Sequence, residues 1–421
     1  MSRPPQETLE VCVQLDGATV IAGQCSITQR AARPVATFTY AQSFLALPEG
    51  YDLDPSLRRD SATHVGEGLF GAFADSAPDW WGRNLIARRL RAQAREAGQL
   101  PPIVTDLHFL IGVSDTTRQG ALRFRRPGAG GYLAGDIDVP KLIELSTLLD
   151  ASDQIANDPS GNADDRQAVK TLLAAGSGTL GGARPKASVR DGDTLYIAKF
   201  PNPREDQWDV MAWEKTALDL AQQAGLEVPQ RRLEKVGDRS VLLVARFDRG
   251  PHTGYEPKRV GYVSASTLVG GARSAERDYL DVAAAIEDHS AATRDDLIDM
   301  WRRIAFSVAI HNTDDHLRNH GFLRAPGGWR LSPVFDINPN PEVGVPRSTT
   351  INGAGLWPDE LDGLTSIAPW FGLTEDRAAI MLGDILAATA NWRSVAADNG
   401  ISEGELGRFA PAFDRLRDAA I

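Results

Sequence analysis

Three of the seven histidines in the chain and two adjacent aspartates fall within ten residues of one another. They belong to the stretch HNTDDHLRNHGFL, which runs from His311 to Leu323. Side chains of these types could bind a metal ion, carry out phosphoryl transfer or cap the turns of a polar loop. Each possibility requires different partners elsewhere, so the sequence can be searched for those partners.

A zinc site is the first possibility. Protein zinc sites use Cys and His ligands at short, repeated spacings, such as HExxH on a helix. His311, His316 and His320 are five and four residues apart, no cysteine lies near them, and the chain contains no HExxH. The spacing therefore argues against zinc. The second possibility is a loop whose Asp and Asn side chains cap turns, and a pattern such as DDHLRN is compatible with it.

Phosphoryl transfer, the third possibility, requires several groups in a set order along the chain. A Gly-rich loop approaches the phosphates, a strand lysine binds them, and a helix glutamate pairs with the lysine. Farther on, an Asp orients and deprotonates the attacking hydroxyl, while an Asn five residues later and a second Asp bind Mg²⁺. The sequence offers all of them in order: Gly176 to Gly182, Lys199, Glu214, Asp314, Asn319 and Asp336. Each is weak evidence alone, but the ordered set favours phosphoryl transfer.

The surrounding sequence predicts the elements that position these side chains. In TLYIAKF, alternation places Leu195, Ile197 and Lys199 on one face of a strand. A lysine in line with buried apolar residues needs an anionic partner. We expect Glu214 on the following helix to be that partner, although it could instead be a surface helix residue. LIDMWRRIAFSVAI predicts a helix that leads into the His/Asp stretch, and Asp336 follows a predicted strand.

The composition limits the classes of function. With 421 residues, 42% of them hydrophobic, the chain is long enough for two or three domains. Its net charge of −11 argues against broad binding to nucleic acid, which Lys and Arg side chains drive. Only Cys12 and Cys25 occur, without a CxxC, which is typical of a reducing compartment. No apolar run is long enough for a membrane span, so we expect a cytoplasmic protein.

Three domains are predicted. Alternating apolar residues in EVCVQLDGATVIAG, with a turn at Asp16-Gly17, indicate a β-rich beginning. The Gly- and Pro-rich stretch from Arg126 to Gly131 marks the approach to a boundary. We therefore predict an N-terminal subdomain at 1–145, a domain with the Gly-rich loop at 146–250 and a mostly helical domain at 251–421.

Several longer stretches resemble one family. NTDDHLRNHGFL, LSPVFDINPNP, VLLVARFDR and GGARPKA together resemble the HipA family of serine/threonine kinases, and the resemblance covers nearly the whole chain. It implies an α+β, bilobal protein-kinase-like fold with an additional N-terminal β-rich subdomain and a mostly helical C-terminal lobe. Members of the family are toxins of toxin–antitoxin systems, and characterised ones phosphorylate aminoacyl-tRNA synthetases. The implied partner is a small DNA-binding antitoxin of the HipB type, with DNA contacted only through it.

The resemblance also implies a role for each candidate residue, with ATP and Mg²⁺ as cofactors. Asp314 would be the catalytic base, and Asn319 and Asp336 would bind Mg²⁺. Lys199 would bind the phosphates of ATP, and Arg318, where many members have Lys, would add a positive contact near the γ-phosphate. The other implied nucleotide contacts are Gly178, Thr179, Gly181 and Gly182 of the Gly-rich loop and Val244, Ala245 and Phe247 of the hinge beside adenine.

Two further roles concern regulation and support. The family is known for autophosphorylation in the Gly-rich loop, and the matching hydroxyl here is Thr179, with Ser177 two positions before it. Alternatively, both hydroxyls only bond the loop backbone. We expect His316 to brace the catalytic loop by hydrogen bonds rather than to act in catalysis.

Two other functions are compatible with the same residues. A small-molecule phosphotransferase on a related fold would use the same catalytic set. A pseudokinase that serves as a binding module in a repressor complex would not need that set, and retention of Lys199, Asp314, Asn319 and Asp336 argues against it.

Overall fold

The computed structural model describes residues 6–28, 34–78, 80–134, 139–158, 165–177, 184–252, 257–270 and 277–419. The chain divides into two compact units. The first comprises Met1–Glu205 and Leu243–Val263, and the second comprises Asp206–Leu242 and Ser264–Ile421. The candidate catalytic loop belongs to the second unit, whereas the Gly-rich stretch and the predicted hinge belong to the first.

The first unit begins with an antiparallel sheet of five strands in the order β4-β3-β2-β1-β5. Of the alternating residues Val11, Val13 and Leu15 on β1, the first two are fully buried and Leu15 is half-buried, while Cys12 and Gln14 between them are buried as well. Asp16 and Gly17 both have positive φ angles, of 45° and 88°, which a tight hairpin turn requires. The predicted turn at this position is therefore confirmed. The strands are β1 (Gln6–Leu15), β2 (Ala18–Thr28), β3 (Val35–Tyr40), β4 (Thr63–Glu67) and β5 (Leu122–Arg125).

Helices pack beside this sheet within the first unit. Trp81 and Leu85 form a hydrophobic cluster with Ile155 and Leu172, which joins three of the helices. The helices are α1 (Gln42–Leu45), α2 (Gly71–Asp75), α3 (Trp80–Glu96), α4 (Asp106–Gly112), α5 (Leu145–Asn157) and α6 (Arg166–Ala174).

A second sheet has the order β6-β7-β9-β8. Its strands are β6 (Lys186–Asp191), β7 (Thr194–Lys199), β8 (Arg231–Val236) and β9 (Arg239–Ala245). The division between the units falls within β9, so β6 and β7 belong to the first unit and β8 belongs to the second. Strands β6 and β7 form one hairpin with a turn at Gly192, and β8 and β9 form another with a turn at Gly237. A short pair of strands follows, β10 (Arg249–His252) and β11 (Pro257–Arg259).

Most of the second unit is helical. Helix α10 has the expected apolar stripe: Leu297, Met300, Ile304, Ala305 and Val308 are all buried. The helices are α7 (Val210–Gln223), α8 (Ala265–Leu268), α9 (Tyr279–His289), α10 (Thr293–Ala309), α11 (Asp359–Ile367), α12 (Glu375–Thr389), α13 (Trp392–Asp398) and α14 (Glu403–Ala419). A small sheet has the order β12-β13-β14. Strands β13 (Gly321–Ala325) and β14 (Gly328–Leu331) belong to the second unit, and the division between the units falls within β12 (Tyr262–Ser264).

Both cysteines, Cys12 and Cys25, are buried free thiols. None of the helices in the described ranges is both long enough and apolar enough to cross a membrane.

Candidate active site

The His/Asp stretch starts where helix α10 ends, and the helix end fixes its direction. The N–H of Asn312 donates to Ser307 O at 2.9 Å, and the N–H of His311 donates to Val308 O at 3.2 Å. These two bonds form a Schellman motif, whose left-handed residue is usually glycine. Here the left-handed residue is His311, with φ of 53°. The chain therefore turns sharply at His311 and leaves the helix axis.

The ring of His311 is part of this turn. It is buried, and its Nε2 lies 3.1 Å from Glu342 O. Burial lowers the pKa of His311 to about 4, so the ring is neutral at pH 7. In the part of the chain that the structure describes, no three His, Cys, Asp or Glu side chains are arranged to hold a metal ion.

Asn319 closes the loop onto Asp314. Its Nδ2 donates to the backbone oxygen of Asp314 at 2.9 Å, and its N–H donates to His316 O at 2.8 Å. Residues Leu317–Asn319 form a short 3-10 helix between them. Because Nδ2 is used inside the loop, the amide oxygen Oδ1 stays available as an acceptor. The five-residue spacing thus has a geometric basis in this loop.

Asp314 presents its side chain at the surface of the loop. Partial desolvation raises the pKa of its carboxyl, and the negative charges of Asp336 and Asp315 raise it further. The charge of His316 and a hydrogen bond from Ser348 act in the opposite direction. The pKa of Asp314 thus responds to the charge of Asp336, and a shared catalytic role for the two carboxylates stays a prediction.

Asp336 has a left-handed backbone, with φ of 56°. Such a conformation costs a non-glycine residue roughly 1 kcal/mol or more and is concentrated at functional sites. Asp and Asn tolerate it better than other side chains do. The conformation at Asp336 is thus consistent with a carboxylate whose direction matters.

His316 and Arg318 differ in their surroundings. Arg318 is exposed, whereas His316 is half-buried. The Nδ1 atom of His316 is buried and has no hydrogen-bond partner among the described residues. Within the described residues, the hydrogen bond that His316 contributes to the loop comes from its backbone carbonyl, which accepts from Asn319 N.

Asp315 points away from Asp314 into a buried network that the sequence did not predict. Its carboxylate accepts a short hydrogen bond from the hydroxyl of Tyr279, and Oδ1 lies 3.0 Å from His320 Nε2. Oδ2 lies 3.5 Å from Arg347 Nη2. Burial alone would raise the pKa of Asp315, but His320, Arg347 and the Tyr279 hydroxyl hold it well below its usual range. Asp315 is therefore an anion that anchors the loop.

The network continues through Arg347 to other parts of the second unit. Arg347 Nη2 donates to Ser307 Oγ at 2.9 Å, and Nη1 donates to Glu360 Oε1 at 2.8 Å. Arg415 Nη2 lies 3.3 Å from Glu360 Oε2. Since Arg347 and Glu360 are buried, these contacts are shielded from solvent and fix the base of the catalytic loop.

In the first unit, two lysines face each other across the β6–β7 hairpin. Lys186 pairs in register with Lys199, so both side chains lie on the same face of the hairpin. Both residues are buried. Lysine is a compact cation that binds phosphate well, and two of them on one face are suited to a phosphate-bearing ligand. The sequence pointed to Lys199 but not to Lys186.

The predicted hinge residues lie at the end of β9 and just beyond it. Val244 is buried, whereas Ala245 and Phe247 are half-buried. The Phe247 ring lies 6.5 Å, centroid to centroid, from that of Tyr262. The next residue, Asp248, is buried, and its Oδ2 accepts a hydrogen bond from Gly120 N at 2.8 Å. This carboxylate ties the segment after the hinge to the N-terminal part of the same unit.

Most of the Gly-rich loop lies outside the described residues. The predicted nucleotide contacts that lie there are Gly178, Thr179, Gly181 and Gly182. Ser177 is described and is fully buried, and its hydroxyl has no hydrogen-bond partner in the described ranges.

Glu214 is buried on α7, so the alternative that it is a surface helix residue is wrong. Lys199 and Glu214 belong to different units, and their pairing stays a prediction.

Comparisons with known proteins identify the family. A model described as the HipA-like C-terminal domain matches residues 178–392, and a model of the HipA N-terminal domain matches residues 19–101. The first match alone spans more than half of the chain, and the protein therefore belongs to the HipA family. A search of curated proteins found none that matches the chain.

One solved structure supports the fold, and two others match more weakly. The HipA chain in the complex of Shewanella oneidensis MR-1 HipA, HipB and operator DNA matches with a TM-score of 0.63 at 16% identity, covering 98% of this chain and 96% of that one. The predicted α+β fold class is thus confirmed at the level of the family fold. The Helicobacter pylori proinflammatory kinase CtkA matches at 16% identity with a TM-score of 0.34, covering 56% of this chain and 95% of its own. Choline kinase LicA of Streptococcus pneumoniae matches at 14% identity with a TM-score of 0.21, covering 57% of this chain and 92% of its own.

Proposed function

We propose that this protein is a Mg²⁺- and ATP-dependent serine/threonine protein kinase of the HipA type. The observation that carries the proposal is the geometry of the catalytic loop. Asp314 is exposed, Asn319 is hydrogen-bonded back to it, and the negative charge of Asp336 raises the pKa of Asp314. These features support a loop suited to in-line transfer to a hydroxyl.

The residues present fit the two implied cofactors. Asn319 Oδ1 and the Asp336 carboxylate are hard oxygen donors, which Mg²⁺ prefers, and the effect of Asp336 on the pKa of Asp314 supports assigning both to one metal site. Lys186 and Lys199 place two ammonium groups on one face of their hairpin, which suits the phosphates of ATP. When bound, Mg²⁺ would supply charge neutralisation on the transferred phosphoryl group.

The chain's own groups have separable roles in this proposal. Asp314 orients the acceptor hydroxyl and takes its proton as the transfer proceeds, and its raised pKa favours proton acceptance. Arg318 is exposed beside it and adds positive charge for the γ-phosphate. Val244, Ala245 and Phe247 would contact the adenine. Together these groups position the reactants and stabilise charge, which are the main catalytic contributions in phosphoryl transfer.

We also infer that the kinase is a toxin with a HipB-type antitoxin as its partner. The support is the family membership and the match to a HipA chain that was solved with HipB and operator DNA. The net charge of −11 favours DNA contact through the antitoxin rather than by this chain. The proposed substrate belongs to the translation machinery, in the class of the aminoacyl-tRNA synthetases, and the proposed location is the cytoplasm.

Labelled ATP provides the direct test. The protein is incubated with γ-labelled ATP, Mg²⁺ and a desalted cell lysate, and the labelled product is identified. Label on a serine or threonine of one protein supports the proposal, whereas label on a metabolite favours a small-molecule phosphotransferase. Nucleotide binding without any transfer favours a pseudokinase. Asp336→Asn should weaken nucleotide binding only when Mg²⁺ is present, which separates the metal role from folding.

Control by the Gly-rich loop is part of the same proposal. A phosphate on Thr179 or Ser177 would carry a charge of about −2 and repel the phosphates of ATP. Thr179→Asp should therefore bind ATP more weakly, whereas Thr179→Ala should stay active. Ser177 is fully buried, so Thr179 is the preferred site. Mass spectrometry after incubation with Mg·ATP tests this control, and a loop without phosphate during substrate turnover would refute it.

A further inference from the structure

A hydroxyl group lies beside the proposed catalytic base, at a position that no sequence motif marks. Ser348 Oγ is 3.5 Å from Asp314 Oδ1, and the hydroxyl is placed to donate to the carboxylate. Ser348 is exposed. Among the described residues its hydroxyl has no other hydrogen-bond partner. The side chain therefore contributes little to the core, and its contact is with the reactive group.

The backbone around Ser348 is fixed independently of its hydroxyl. We name Arg347–Thr349 the strap. Ser348 N donates to Thr313 O at 2.8 Å, and Thr349 Oγ1 donates to Asp315 O at 2.7 Å. The strap thus binds the residues before and after Asp314. A strap held at these points keeps Ser348 Oγ near Asp314 without any packing of the Ser348 side chain.

Buried charge holds the other end of the strap. The guanidinium group of Arg347 contacts Asp315 Oδ2 as well as Ser307 Oγ and Glu360 Oε1. Arg347 N donates to Gly355 O at 2.9 Å. Since Arg347 and Asp315 are buried, these contacts are shielded from solvent and hold the strap against the catalytic loop.

We propose that Ser348 is a positioning residue for Asp314. Its hydroxyl donates to Oδ1 and turns the carboxylate so that Oδ2 is left for the acceptor hydroxyl. This inference rests on the proposed function, because it needs Asp314 to act as the base. A hydrogen bond to a charged group that is aligned in advance lowers the barrier by restricting the carboxylate to its productive orientation.

Two substitutions at Ser348 and one matched control test the proposal. Ser348→Ala removes the hydroxyl, Ser348→Thr keeps it, and Ser394→Ala removes an exposed hydroxyl on α13. Each protein is incubated with γ-³²P-labelled ATP and a desalted lysate, and the initial rate of protein labelling is measured across ATP concentrations. The fits give an apparent kcat and a KM for ATP, and a thermal melt gives Tm.

Ser348→Ala should lower the apparent kcat about tenfold, the effect of losing one hydrogen bond to a charged group. Its KM for ATP and its Tm should match those of the unaltered chain. Ser348→Thr should restore most of the rate, and Ser394→Ala should have no effect. A purely structural role would instead lower Tm, and a nucleotide-binding role would raise KM.

The contrary outcomes are distinct from failure of the proposed function. If the unaltered chain transfers no label to any protein, the kinase proposal fails and this inference fails with it. If the unaltered chain and Ser348→Ala label at the same rate, the kinase proposal stands and the positioning role is lost. A lowered Tm, a raised KM, or a Thr variant as slow as the Ala variant would also contradict it.

Discussion

Each compact unit buries a network of charged side chains. The network of the first unit contacts loop backbone, whereas that of the second unit contacts the candidate catalytic loop. In the first unit Asp248 contacts both Arg246 and Arg249. Arg246 also donates to the backbone carbonyl of Thr117, and Asp248 accepts from the backbone N–H of Gly120. This network therefore fastens loop backbone, and among the described residues none of these contacts involves a proposed catalytic group.

In the second unit the network fastens the catalytic loop. Arg347 connects Asp315 to Glu360, and Arg415 continues the chain of contacts. Asp315 adjoins Asp314, whose carboxylate is exposed. Buried ion pairs therefore stabilise the fold in the first unit, and in the second unit they also fix the candidate catalytic loop. Damage to the first network should appear as lost stability, and damage to the second should also appear as lost activity.

The largest expected effect is at Asp314, the exposed residue that precedes Asp315 of the second network. Asp314→Asn keeps the size of the side chain but removes its negative charge and basicity. We expect the rate of phosphoryl transfer to fall by roughly 10²- to 10⁴-fold, with ATP binding retained. Labelling assays and nucleotide titrations measure the two quantities. Asp362→Asn, an exposed position on α11, is the matched control, and full transfer by Asp314→Asn would exclude it as the base.

Asp248→Asn should disrupt the first network and lower the stability of the protein. Both arginines would lose a buried anion, and breaking a buried pair in this way costs about 3–5 kcal/mol. The free energy of unfolding, measured in urea by far-UV circular dichroism, should fall by that amount. Asp16→Asn is the control, because the ion pair of Asp16 with Lys258 is exposed and worth less than about 1 kcal/mol. An unchanged unfolding midpoint for Asp248→Asn would contradict this account.

Arg347→Lys tests whether the second network affects both stability and the rate of transfer. Lysine keeps the charge but cannot reproduce the planar fork that reaches Ser307, Asp315 and Glu360 together. We expect a loss of about 1–2 kcal/mol in stability, in the range of one or two charged hydrogen bonds, together with a several-fold slower transfer. Arg393→Lys, at an exposed pair with Asp414, should change neither. Lost stability with an unchanged rate would mean that Arg347 does not act on the loop.

The smallest effect is on acid stability. Burial alone would raise the pKa of Asp248, but Arg246 and Arg249 hold it well below its usual range. Since the unfolded pKa is about 3.9, the stabilisation is complete above that pH and is lost as the pH falls below it. Unfolding free energies between pH 6 and pH 3 should decline more steeply for the unaltered chain than for Asp248→Asn. Parallel curves would show that Asp248 does not contribute.

Local patterns made part of the site predictable. Asp314 and Asn319 are close in sequence, and a single loop places them together. Lys199 could be found because alternation on a strand shows which side chains share a face. Lys186 was missed because it follows a Gly- and Pro-containing stretch, where no alternation precedes it, and only the strand register sets it opposite Lys199.

The partners of Asp315 had no local signal. Tyr279 precedes it by 36 residues and Arg347 follows it by 32. Nothing in the composition of those stretches indicates that their side chains converge, because convergence is a result of how α9, α10 and the strap pack. Ser348 was missed for the same reason. Local sequence patterns therefore predicted the candidate catalytic residues of the loop. The residues that hold the loop in place became apparent only from the tertiary packing.

The aromatic residues around α14 have a spectroscopic consequence. Trp213 stacks on Phe409 at 3.8 Å, Trp392 stacks on Phe413 at 4.6 Å, and the two indoles lie 6.1 Å apart. Trp213 lies on α7 and Trp392 on α13, so a near-UV circular dichroism signal from the indole pair depends on the packing of these two helices. Of the nine tryptophans, only Trp80 and Trp81 belong to the first unit. The intrinsic tryptophan fluorescence of this protein therefore comes largely from the second unit, and a change in it on unfolding reports mainly on that unit.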